Sequence, residues 1–148
     1  MEDRSTGLSL VCRVQARLCA LPLEHVVETM RPLAVEPLAN APSFVLGLAV
    51  VRGEPLAVVD AARVMGMQDA PIGRFVTVAV GVRRIALAVG DVVGMRRLPP
   101  GSLRALPPLL HEAAGDVVDA VGLLDAELLL MLRSARLLPD DVPEGARA

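Results

Sequence analysis

The apolar positions of this chain fall into short runs rich in Val, Leu and Ala, each broken by Gly, Pro or charge. Runs of this length with these bounds read as strands rather than helices. Leu8–Val14 and Arg17–Leu23 form a first hairpin about Gln15-Ala16, with Pro22 closing the second strand. Val26–Met30 reads as a helical turn running into a strand. Pro32, Pro37 and Pro42 make the next segment an irregular connection. Then come two apolar runs, Phe44–Val51 and Pro55–Asp60, flanking a single Arg52-Gly53 step. Gly53 supplies the positive φ that a tight turn requires. Asp60 caps one helical turn that Gly66 closes. Phe75–Val80 and Ile85–Val89 flank Gly81–Arg84 as another hairpin, and Asp91–Leu98 is ambiguous. Val117–Leu124 and Glu127–Leu132 pair about Asp125-Ala126, and Arg133–Leu138 reads as a last short helix.

The pattern repeats. Glu54–Val64 aligns with Glu127–Leu137 at a constant offset of 73 residues, each stretch running from apolar strand to short helix. Two related β-lobes explain this more economically than one sandwich. The expected domain spans residues 8–138, with residues 1–7 and 139–148 as flexible termini.

Composition narrows the functional classes. Hydrophobic residues make up 53%, enough for a large core, but aromatics only 1%, so Val, Leu, Ala and Met must build it. A net charge of −2 and the absence of a basic cluster or aromatic platform argue against nucleic-acid binding. No apolar run reaches the roughly 20 residues of a membrane helix, and the acidic start Met1-Glu2-Asp3 is unlike a secretion signal. The cytoplasm is the expected compartment.

Chemistry is sparse. His25 and His111 are the two histidines, and no paired carboxylates, metal-ligand spacing or phosphate loop appear. The chain reads as a non-enzyme without metal or cofactor. Cys12 and Cys19 face each other across the first hairpin. They read as small buried hydrophobes with free thiols, a redox pair being the alternative. Arg52 has two readings as well: a solvated turn residue, or a cation at the rim of an apolar hairpin that a partner protein could engage. Glu28 and Arg52 are the candidate polar anchors for such docking.

The order of these motifs resembles the CheW-like domain of chemotaxis signalling. The residues that carry the likeness are Cys19-Ala-Leu-Pro22, Val26-Val-Glu28, Pro42-Ser-Phe44-Val-Leu-Gly47, Arg52-Gly53, Val58-Val-Asp60 and Leu124-Asp125. The resemblance implies two SH3-like five-stranded β-barrel lobes packed on a shared apolar core, with a few short helices. It implies a non-catalytic adaptor that couples methyl-accepting chemoreceptors to a CheA-type histidine kinase. The adaptor would bind the receptor's cytoplasmic tip and the kinase's regulatory domain, with Val26, Glu28, Gly47 and Arg52 facing the partner. Val50, Ala57 and Ala126 stand where the family pattern has Asn, Pro and Gly. These departures leave room for a different regulator in a non-flagellar pathway.

Overall fold

The computed structural model describes residues 7–68, 70–106 and 117–138. The terminal segments 1–6 and 139–148, the Pro107-Pro108 loop and His111 lie outside the described residues. The strands are β1 (Leu8–Val14), β2 (Arg17–Pro22), β3 (Val26–Met30), β4 (Val45–Val51), β5 (Glu54–Asp60), β6 (Arg74–Val80), β7 (Arg83–Val89), β8 (Asp91–Arg97), β9 (Leu103–Ala105), β10 (Val118–Leu124) and β11 (Glu127–Leu132). Two four-residue helices follow β5 and β11: α1 (Ala61–Val64) and α2 (Ser134–Leu137).

The strands form two sheets, ordered β8-β1-β2-β11-β10-β9 and β3-β6-β7-β5-β4. The expected two-lobed β architecture is present, with one difference. The first sheet has six strands, because the three residues of β9 pair with β10. Three residues are too few to show periodicity, so this strand leaves no sequence signal. Asp91–Leu98 resolves as β8, ambiguous in sequence because it is an edge strand with mostly exposed side chains.

Burial explains why the strands read as continuous apolar runs rather than alternating ones. Leu10, Cys12, Val14, Cys19 and Leu21 of the first lobe join Val59, Val76, Val78, Ile85 and Leu87 of the second in one shared core. The opposite faces pack inside each lobe: Val11, Leu18, Ala20 and Leu129 in the first, Val58, Phe75, Ala86 and Ala88 in the second. A strand covered on both faces is apolar at nearly every position.

The internal repeat is real in three dimensions. Matching strands occupy matching places in the two sheet orders, with the isolated Glu36–Leu48 bridge where β9 would lie. The β4–β5 register slips between Val45 and Gly47, and the β10–β11 register slips between Val118 and Ala120, again 73 residues on. A second pair of bulges also matches. β3 skips Val27 opposite β6, and β8 skips Val93 opposite β1.

Asp60 caps α1 as the sequence implies: its Oδ1 accepts the Ala62 N–H at 3.0 Å, and the side chain is buried. Replacing Asp60 with Ala is expected to cost about 1 kcal/mol in chemical denaturation. Asp60→Asn, which keeps an acceptor, should recover most of it. An Ala variant as stable as wild type would remove the cap from the account.

Candidate functional site

The turn that joins β4 to β5 places Arg52 at φ 53° and Gly53 at φ 79°. Both central residues are therefore left-handed, the geometry of the tight hairpin turn. Gly53 adopts it freely, but Arg52 does so at a conformational cost, because its Cβ crowds the backbone there. A residue kept in a strained turn against local preference is a candidate for function.

Arg52 is not a solitary solvated cation. Its Nε donates to Glu28 Oε2 at 3.1 Å, and its Nη2 donates to Glu28 Oε1 at 2.7 Å. This two-pronged fork joins the β4–β5 turn to β3, the strand at the opposite edge of the same sheet. Arg52 remains 78% exposed, whereas Glu28 is 28% exposed. The guanidinium thus stands outward over a carboxylate that fixes its direction. A planar fork on a carboxylate is directional as well as charged.

Two sequence candidates meet in this pair, and the other two sit differently. Val26 is half-buried and packs against the shared core. Gly47 is buried, with φ 149°, and a Cβ built on it would collide with the Glu36 carbonyl oxygen. Glu36 and Leu48 exchange two backbone hydrogen bonds of 2.8 Å at that crossing. Gly47 is therefore set by the close approach of two backbones beneath the hairpin. The sequence implies an apolar rim without naming the residues that form it. Val27, pushed out by the bulge, is 47% exposed, and Val50 is 66% exposed. Exposed valines beside an ion pair match the mix of apolar area and charge found at protein interfaces. The signal available for Val50 was its departure from the family's Asn.

The first lobe carries a related but differently charged surface. Leu123 occupies the place of Val50 and is also 66% exposed, while Asp125 occupies the place of Arg52, again left-handed at φ 50°. A second fork, Arg13 to Glu127 at 3.0 Å for both contacts, ties β1 to β11.

The remaining chemical candidates have structural partners. Cys12 and Cys19 pair in register, both buried and free. The Cys12 thiol's hydrogen bond, together with burial, holds the Cys19 thiol well above its ordinary 9.0, and such a thiol carries little reactive thiolate. His25 Nδ1 lies 2.9 Å from Ser134 Oγ and its Nε2 lies 3.5 Å from Glu24. The contact joins the β2–β3 crossover to α2, and Ser134 is only 3% exposed. Among the described residues no cluster of three metal-ligating side chains forms, and no helix is long and apolar enough to cross a membrane.

Hydrogen bonding to Arg52 holds the Glu28 carboxyl below its ordinary value of 4.5. A depressed carboxylate contributes above its unfolded value and loses that contribution as pH falls through its folded value. The fork should therefore be intact at neutral pH and open only in acid, as pH falls through that lowered value. A carboxyl NMR titration should place the Glu28 midpoint below that of the same residue in Arg52→Ala. Equal midpoints would mean that the fork does not persist in solution.

Known proteins share the two-lobed fold and the family pattern. The CheW-like domain family model matches residues 9–142. Protein FrzA of Myxococcus xanthus is 36% identical over 125 residues, which cover 80% of this chain and 76% of that protein. The crystal structure of scaffolding protein TtCheW from Thermoanaerobacter tengcongensis superposes with a TM-score of 0.76 at 18% identity, covering 86% of this chain and 89% of that one. With the two matched lobes, the shared core and the family model spanning nearly all described residues, the chain belongs to the CheW-like domain family and has that family's adaptor role in chemotaxis-type signalling.

Proposed function

We propose that this chain couples methyl-accepting chemoreceptors to a CheA-type histidine kinase in the cytoplasm, without catalysing a reaction itself. It would bind the receptor's cytoplasmic tip and the kinase's regulatory domain. The observation that carries the reading is the Glu28–Arg52 fork: an outward guanidinium held in a strained turn, beside exposed Val27 and Val50. Apolar side chains of this kind bury against a partner helix, and an oriented charge fixes the register. In this reading Glu28 and Arg52 touch the partner, Val26 supports the strand from below, and Gly47 sets the shape of the hairpin.

The test mixes the chain with a receptor cytoplasmic tip and a kinase regulatory domain at about 50 µM, a concentration that retains micromolar complexes. Co-elution on gel filtration is expected with each partner. If neither is retained, the coupling reading is wrong for this chain. Retention of one stoichiometric protein of another kind in a pull-down would instead favour a different regulator. The changed neighbour Val50 is the specific reason to keep that second reading.

A further inference from the structure

The β-bulge at Val27 raises a question of hydrogen-bond satisfaction. Glu28 sits directly after the skipped residue and pairs with Thr77 of β6. A bulge disrupts the local ladder and re-aims the side chain that follows it. Here the Thr77 hydroxyl enters the gap. The Glu28 N–H donates to Thr77 Oγ1 at 3.1 Å, and Thr77 Oγ1 donates back to the Glu28 carbonyl at 3.3 Å. Thr77 is 2% exposed, a polar side chain in the middle of Phe75-Val76-Thr77-Val78-Ala79. By strand alternation it shares the face of Phe75, toward the interior of the second lobe.

A bulge of this kind does not itself need a hydroxyl. The matching bulge in the first lobe skips Val93, and there Gly94 pairs with Val11. Val11 occupies the position of Thr77 and Gly94 that of Glu28, so that lobe keeps the same irregularity with an apolar partner. No carboxylate is displayed from it. The hydroxyl is present in the one lobe whose bulge carries the acid of an ion pair.

We propose that Thr77 is a positioning residue for docking: from the neighbouring strand β6 it clamps the backbone of Glu28 so that the carboxylate meets the Arg52 guanidinium. It touches no partner and acts through Glu28. The inference rests on the proposed function for its consequence in binding, but the clamp itself can be tested on the isolated chain.

The experiment compares Thr77→Val, which keeps the shape and removes the hydroxyl, with Thr77→Ser, which keeps the hydroxyl. Val11→Thr is the control in the other lobe. The first readout is the Glu28 carboxyl midpoint together with the Arg52 Nε–H resonance by NMR. Thr77→Val should move the midpoint up toward its value in Arg52→Ala and broaden the Nε–H signal. Thr77→Ser should restore both, and Val11→Thr should change neither. The second readout is receptor-tip affinity, expected to fall roughly fivefold in Thr77→Val, the scale of one lost hydrogen bond. An unchanged midpoint and resonance in a folded Thr77→Val overturns the clamp, whatever the affinity. If Thr77→Val does not fold, Thr77→Ala takes its place under the same criterion. A shifted midpoint in a chain that binds no receptor tip upholds the clamp and sinks the coupling function instead.

Discussion

An Arg52→Glu variant should fold with an almost unchanged melting temperature and lose more than about tenfold in affinity for its signalling partner. The two halves of this expectation have one cause. Arg52 is 78% exposed, so water screens the fork and its loss barely touches the folding equilibrium. The same exposure leaves the guanidinium available to a partner that excludes water when it docks. Reversal does more than delete the cation: it sets a second carboxylate against Glu28, whose Oε1 otherwise lies 2.7 Å from the Arg52 guanidinium. Like charges confined at an interface cost far more than at a free surface. Calorimetry of binding and a thermal melt on the same sample separate the effects. Full affinity with a normal melt would show that the partner docks elsewhere. The exchanged pair Glu28→Arg with Arg52→Glu refines the result. If it restores the fork but not binding, the partner reads the outward cation rather than the intact pair.

The second large effect is expected at Gly47. Gly47→Ala should destabilise the fold by on the order of 4 kcal/mol, combining strain at a positive φ with forced displacement of a packed backbone. The added Cβ would press on the Glu36 carbonyl and on Pro37, and so break the pair of hydrogen bonds between Glu36 and Leu48. That crossing closes the outer edge of β4, so the hairpin that carries Arg52 should loosen with it. Gly94 provides the contrast. Its φ of 137° is similarly unfavourable, but a Cβ there meets only the end of the Arg96 side chain at 3.5 Å. Gly94→Ala should therefore cost only the strain, about 1–2 kcal/mol. Equal losses in urea denaturation of the two variants would show that the approach of Glu36 is not what requires glycine at 47.

The hairpins, the two helical turns and the repeat were legible in the sequence because each depends on local rules. Runs of Val and Leu between turn residues define strands, and the Gln15-Ala16, Arg52-Gly53 and Asp125-Ala126 steps all mark observed turns. Cys12 and Cys19 were correctly placed opposite each other for the same reason, since a two-residue turn dictates the register. β9 and the Glu36–Leu48 bridge were not legible: each is too short for a pattern and exists only because another strand lies beside it. The proposed docking site was half legible. Glu28 and Arg52 stood out as charges among apolar residues, but nothing in their separation of 24 positions announces that they touch.

The sequence by itself determined the alphabet of elements, because turn chemistry and apolar run length act over a few residues. Tertiary structure decided three further things. It covered both faces of the central strands, by joining the two lobes through one shared core. It gave Gly47 a packing requirement, by bringing Glu36 across it. It also converted two separate charges into one fork, and placed a buried threonine hydroxyl behind it. Each of these depends on which backbones meet, and burial of the apolar faces of two whole lobes settles that; no local stretch of sequence encodes it.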